Sequence, residues 1–199
     1  MSTSFDSDRI RSIIGESVST KLHLAEHCAD DIRQCGELLT SAAHAGRMIM
    51  LCGNGGSAAD SQHIAAELVI RFRGHIERRA IAALALTVDT SALTACGNDY
   101  GFDQVFARQV EAFGTEGDVL VALSTSGTSR NVIAAVNVAN SRGMKTIGLL
   151  GGTGGTLLDL CTANVIVPSP VTARIQESHI LIGHIWCEMI EEGLFPELF

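Results

Sequence analysis

Gly53-Asn54-Gly55-Gly56-Ser57-Ala58-Ala59-Asp60-Ser61-Gln62-His63-Ile64-Ala65-Ala66-Glu67 follows directly on Met48-Ile49-Met50-Leu51-Cys52. The apolar pentapeptide reads as a buried strand, and past the glycines the pattern turns helical. A glycine-rich turn between strand and helix lets backbone N–H groups approach an anion at the positive end of the helix dipole. On the same helix His63 and Glu67 stand four residues apart and share a face. One element therefore carries a phosphate-sized cradle and a metal-capable pair. The same letters also suit an ordinary βα turn followed by a solvated pair, so the flanking chain decides.

Outward from this stretch, strands and helices alternate. The spacing predicts a helix over about 57–72, a strand at Ile81–Leu86 and a helix from Thr90 or Ser91. A turn at Gly97-Asn98-Asp99-Tyr100-Gly101 and a helix over about 103–113 follow. Asp118–Leu123, Thr146–Leu150 and Asn164–Val167 read as the third, fourth and fifth strands. A helix to about Ser141 separates the third from the fourth, and a glycine cluster with a short helix separates the fourth from the fifth. A last helix covers about 172–192. The strands are continuously apolar, as strands covered on both faces must be. The alternation predicts an α/β chain: a three-layer, doubly wound sandwich around a five-stranded parallel sheet with right-handed crossovers. In such sheets ligands bind at the carboxyl ends of strands near a topological switch. The loops after the first and third strands both lie at carboxyl ends.

Upstream, Ile10, Ile13, Ile14, Val18, Leu22 and Leu24, then Ile32, Cys35, Leu38, Leu39 and Ala42, recur at helical spacing. They predict two N-terminal helices over about 6–46, which either cover the sheet or pack on another subunit. Residues 1–199 read as one domain, with this lead-in followed by an α/β core from about 47 to 199. A chain of 199 residues suits one full core.

At 46% hydrophobic and 18% charged residues, the chain is globular rather than disordered. Its net charge of −8 and the lack of a Lys/Arg run argue against nucleic-acid binding. Arg71, Arg73, Arg78 and Arg79 form the densest basic group, either a solvated loop or a sugar-phosphate clamp. None of the six cysteines forms a CxxC pair, and scattered free thiols suit a reducing cytosol. Met1–Asp6 shows neither a basic n-region nor an apolar h-region, which predicts no signal peptide. No apolar run reaches the roughly 20 residues of a membrane span.

The loop after the third strand supplies Ser124, Thr125, Ser126 and Ser129 within six residues. Hydroxyls and N–H groups at a helix start bind phosphate without a fixed cation. Helix capping needs one such residue, not four. No Gly-Lys-Ser/Thr follows, which excludes a P-loop, and the third glycine of a dinucleotide fingerprint is missing after Gly55. The last helix supplies Gln176, Glu177, His179 and His184. Taken with His63 and Glu67, Gln176 and His184 would make a four-ligand site for zinc or a similar ion. However, Gln176 and His184 are eight residues apart, about 12 Å along a straight helix. One ion could take both only if the helix begins or bends between them, or if different subunits contribute.

Gly53-Asn54-Gly55-Gly56-Ser57 with His63 and Glu67, Gly97-Asn98-Asp99, Ser124-Thr125-Ser126-Gly127-Thr128-Ser129, and Arg174-Ile175-Gln176-Glu177 with His184 closely resemble the phosphoheptose isomerases of the sugar isomerase (SIS) family. The resemblance covers essentially the whole chain, with motifs in order. It implies conversion of sedoheptulose 7-phosphate to D-glycero-D-manno-heptose 7-phosphate, the first step toward ADP-heptose and lipopolysaccharide core. It further implies a cytoplasmic homotetramer with zinc, active sites between subunits, and neither nucleic-acid nor membrane partners. By resemblance His63, Glu67, Gln176 and His184 hold the metal, and Glu67 and His184 are the acid–base pair. Asn54, Gly55, Gly56, Ser57, Glu67, Asn98, Asp99, Ser124, Thr125, Ser126, Ser129 and Gln176 contact the sugar phosphate, and Arg71 is placed within reach of it. Some members carry an aspartate three residues before the matching glutamine, where this chain has Ala173. Two alternatives stand beside this reading. One is an isomerase or sensor for another phosphosugar. The other is a non-catalytic SIS scaffold similar to the initiator-associating protein of bacterial replication, against which Glu67 and His184 argue.

Overall fold

The computed structural model describes residues 6–199, so the leader reading of Met1–Phe5 lies outside it. Two helices open the chain. The Asp6 carboxylate accepts from Arg9 N–H at 2.9 Å and starts α1, Ser7–His27; α2 is Ala29–His44. Then β1 (Ile49–Cys52), α3 (Gly56–Val69), β2 (Ala83–Ala85), α4 (Thr90–Asp99) and α5 (Ala107–Phe113) alternate, with a single 3₁₀ turn at Phe102–Gln104 before α5. They are followed by β3 (Val119–Ser124), α6 (Arg130–Ser141), β4 (Lys145–Gly151), α7 (Leu157–Leu160), β5 (Ala163–Val167) and α8 (Thr172–Leu194).

All five strands are parallel, in the order β2-β1-β3-β4-β5. The chain steps from β1 outward to β2, then crosses back to pair β3 with the other side of β1. The order in which strands are added therefore reverses at the β1/β3 boundary, which opens a crevice at the carboxyl ends of these two strands. The core splits into two layers of side chains. Residues of α1, α2, α3 and α8 cover one face, around the fully buried Trp186, whose indole N–H donates to Ile32 O at 3.0 Å. Residues of α4 through α7 cover the other.

Three details differ from the sequence reading. Strand β2 pairs over Ala83–Ala85 only, because it is the sheet edge and Ile81 N–H instead turns to Leu68 O at the end of α3. Helix α4 is capped by Asp89 and runs through Gly97-Asn98-Asp99, where a turn was expected. An interior glycine costs a helix only about 1 kcal/mol, and here the positive-φ residue that ends the helical path is Gly101, after Tyr100. The third difference is the arginine group, which divides: the Arg78 side chain is buried and Arg73 half-buried, while Arg71 and Arg79 stay exposed. The Arg78–Glu191 pair is fully buried, with Nε donating to Oε1 at 2.7 Å, and Arg78 also donates to the carbonyls of Glu67 and Leu68. Arg73 pairs with Glu188 and Glu192, and Arg71 with Glu77. Glu188, Glu191 and Glu192 lash the segment after α3 to α8, while the Arg71–Glu77 pair lies within that segment. Deleting one partner of a buried pair strands a charge, at ~3–5 kcal/mol.

Candidate active site

The turn Gly53–Gly55 at the end of β1 and the loop Thr125–Ser129 at the end of β3 flank the switch-point crevice. Gly55 is the N-cap of α3, so no capping side chain stands over the helix start. Gly56 lies under the amide of Gln176, and a Cβ there would come within 2.9 Å of Gln176 Oε1. A residue larger than glycine would push Gln176 off the turn. Ser57 is buried beneath Gly53.

The hydroxyl loop is folded upon itself. Ser124 Oγ and Ser129 Oγ lie 2.9 Å apart, and Gly127 N–H donates to Ser124 Oγ at 3.1 Å. Ser126 Oγ and Thr128 Oγ1 are also 2.9 Å apart. Ser129 occupies the N-cap of α6 but makes no side-chain capping bond, so capping does not account for these hydroxyls. Ser126 and Thr128 are exposed, Thr125 and Ser129 half-buried and Ser124 buried. Such a cluster of hydroxyls at a helix start can receive an anion.

About two helical turns along α3 from the glycines, His63 Nε2 lies 3.0 Å from His184 Nε2 and 3.3 Å from Glu67 Oε1. The helices α3 and α8 thus bring together three of the four residues implied as ligands. Ligands held at about 2.0–2.1 Å in a tetrahedron lie roughly 3.3 Å from one another, so both spacings fit donors around one divalent ion. Two imidazoles and a carboxylate are also the right donor types. His63 is common to both contacts, however, and among the described residues no three His, Cys, Asp or Glu side chains are gathered as a ready-made cage. Gln176 is not with them. Helix α8 runs unbroken from Thr172 to Leu194, so Gln176 stays about 12 Å up the axis from His184. It sits instead by the glycine turn, and the first two of the three ways to unite the four ligands are removed.

Asn98 and Asp99 stand exposed at the end of α4, hydrogen-bonded to each other at 2.7 Å, with no hydrogen bond to either loop among the described residues. Arg71 is engaged with Glu77 at 3.2 Å.

Three residues that the sequence did not single out for the site lie on or beside its elements. Asn131, buried at the start of α6, pairs with Asn54. Asp60, one turn before His63, has a buried Oδ2 without a partner among the described residues; burial raises its pKa and His63 pulls the other way. His179, known from the sequence only as a member of the last helix, is fully buried, with Nε2 3.0 Å from Leu150 O at the end of β4. The carbonyl can only accept, so Nε2 carries the proton. Burial holds this imidazole down to about 4, against the opposing pull of the Leu150 bond. A depressed histidine pKa contributes stability that is complete above the ordinary value of 6.5 and is lost as pH falls toward about 4. That loss is on the order of 3 kcal/mol. Melting curves from pH 7 to pH 4 should fall more steeply for the native chain than for His179→Asn; parallel curves would remove His179 from the acid response.

Comparison with known proteins is consistent with this geometry. A family described as SIS domain matches residues 15–151. The chain is 64% identical over 147 residues to the phosphoheptose isomerase of Nitratiruptor sp., covering 74% of this chain and 78% of that one. It is 49% identical over 186 residues to the phosphoheptose isomerase of Leptospira biflexa, covering 94% and 95%. The solved phosphoheptose isomerase of Neisseria gonorrhoeae superposes with a TM-score of 0.87 at 46% identity, covering 93% and 98%.

Proposed function

The chain belongs to the phosphoheptose isomerases of the SIS-domain family, and on that premise we propose that it converts sedoheptulose 7-phosphate to D-glycero-D-manno-heptose 7-phosphate. The reaction would open the route to ADP-heptose and lipopolysaccharide core in the cytoplasm. Among the described residues no helix is long and apolar enough to cross a membrane. The observation that carries the proposal is the pairing of an anion-receiving hydroxyl loop with a Glu67–His63–His184 cluster in one fold.

Ketose–aldose interconversion moves a proton from C1 to C2 through an enediolate. Glu67 is the base that takes the C1 proton, and His184 exchanges protons with the sugar oxygens. An acid and a base so placed contribute ~10²–10⁴-fold each. Zinc held by His63, Glu67, Gln176 and His184 would polarise the carbonyl and hydroxyl oxygens and stabilise the oxyanion. The hydroxyl loop and the Gly55-Gly56 turn bind the phosphate and so position C1 and C2.

The separation of Gln176 from His184 argues for an active site shared between copies. On an unbroken α8 they stand about 12 Å apart, so the two could meet one ion only from different copies. The outer face of α1 supports this assembly, since Ile10, Ile14, Val18 and Leu22 are each 47–65% exposed along one stripe. We therefore expect a homotetramer; sedimentation showing a fully active monomer would refute the shared site.

Replacing Ser126 and Ser129 together by alanine is expected to weaken substrate binding more than folding. Losing two hydrogen bonds to a charged group costs on the order of 3–6 kcal/mol. An unchanged KM would put the phosphate elsewhere. The reading as a whole is tested by incubating the metal-loaded protein with a panel of phosphosugars. Selective turnover of sedoheptulose 7-phosphate, abolished by chelation and restored by zinc, is expected. Turnover of a different phosphosugar alone, or of none, would refute it.

A further inference from the structure

Asn54 and Asn131 face each other across the crevice as a reciprocal amide pair. Asn54 Nδ2 donates to Asn131 Oδ1 at 2.8 Å, and Asn131 Nδ2 returns the bond to Asn54 Oδ1 at 2.8 Å. The backbone N–H of Val132 donates to Asn131 Oδ1 at 3.0 Å, which fixes which end of that amide is oxygen and, through the pair, the orientation of Asn54. Asn131 is buried, in the first turn of α6 directly behind the hydroxyl loop. Asn54 lies within the glycine turn. No other side-chain hydrogen bond joins these two loops among the described residues. On its far side the hydroxyl loop is held by backbone alone: Leu157 N–H donates to Gly127 O at 3.0 Å, against the glycines that precede α7.

We infer that Asn131 is a positioning residue that, with Asn54, clips the turn after β1 to the loop after β3 and so sets the width of the phosphate cradle. The pair uses one N–H and one lone pair of the Asn54 amide, so its second N–H remains for the contact with the sugar phosphate that the family resemblance implies. An amide pair suits this task. It spends a donor and an acceptor on each side, carries no charge that would repel phosphate, and locks both loops in register. The inference rests on the phosphate-binding reading of the two loops.

Binding of inorganic phosphate and of sedoheptulose 7-phosphate, measured calorimetrically, tests this without requiring turnover. The variants are Asn131→Ala, Asn131→Leu, Asn54→Ala and the double alanine. Asn131→Leu is close in volume and removes the clip without adding a charge near the phosphate, so it serves if the alanine variant fails to fold. Each single variant is expected to weaken binding of both ligands tenfold or more. Its melting temperature should stay within a few degrees, and its KM should rise far more than its kcat falls. The double variant should bind within about twofold of the weaker single one, since residues acting as one contact are not additive. Losses that multiply in the double variant would mean that the two asparagines act independently and would overturn the clip. So would variants that melt early yet bind as the native chain does, which would leave a plain structural strut. A native chain that binds phosphate but does not turn over the heptulose phosphate would refute the proposed function and leave the clip standing. A native chain that binds no phosphate would overturn both.

Discussion

Glu67→Gln is expected to lower isomerisation of sedoheptulose 7-phosphate by at least ~10²–10⁴-fold, the usual contribution of a general base, while the fold survives. The separation of the two effects follows from where the residue makes its contacts. Its backbone carbonyl accepts from Arg78 Nη2 at 2.8 Å and helps hold the segment after α3. Its carboxylate faces His63 at 3.3 Å. Glutamine leaves the first contact untouched and keeps an oxygen for the second, but it cannot accept a carbon-bound proton. Melting temperature and phosphate binding should therefore change little. If Glu67 served only as a metal ligand, excess zinc would restore much of the activity. If it were only a surface partner of His63, activity would barely move. Either outcome, in folded protein, would remove it as the base.

Gly127→Ala should be the most damaging single change in the phosphate cradle. Gly127 has φ +66°, and a Cβ there would overlap the carbonyl of Gly154 and crowd the Gly155 N. A strained non-glycine conformation alone costs about 1–3 kcal/mol. The overlap adds to it, because the opposing atoms are backbone that also seats Leu157 N–H on Gly127 O. The chain can relieve the clash only by moving the hydroxyl loop away from the glycines before α7. We expect a fall in melting temperature of about 10 °C, at ~2–4 °C per kcal/mol for a chain of this size, with phosphate binding lost. Gly152→Ala is the internal control. It has φ +60° but open space where the Cβ would go, so strain alone should cost ~1 kcal/mol and binding should persist. Equal effects of the two substitutions would show that the packing of the two loops is not what holds the cradle.

The order of the elements was legible because apolar strand runs and glycine turns alternate without interruption from Met48 onward. Boundaries were less so. Nothing local distinguishes an edge strand that pairs over Ala83–Ala85 from a longer central one, since pairing depends on the neighbour it lacks. Gly97 looked like a turn because glycine usually ends a helix, yet the left-handed residue is Gly101. The arginine group was unreadable because its partner Glu191 lies 113 residues beyond Arg78. The hydroxyls, His63, Glu67 and His184 could be singled out because each belongs to a spaced motif. Asn131 carries no such pattern: a single asparagine at a helix start gives no hint that its partner is Asn54, across the switch point. The separation of Gln176 from His184 could be counted from the sequence. What the structure added is that α8 stays continuous between them.

Conversion of sedoheptulose 7-phosphate in deuterium oxide tests the central claim most directly. The product, analysed by NMR, is expected to be D-glycero-D-manno-heptose 7-phosphate carrying solvent deuterium at C2, with the label and the turnover both lost in Glu67→Gln. Absence of the heptose phosphate, or labelling and turnover that persist in Glu67→Gln, would contradict enediolate proton transfer by this base.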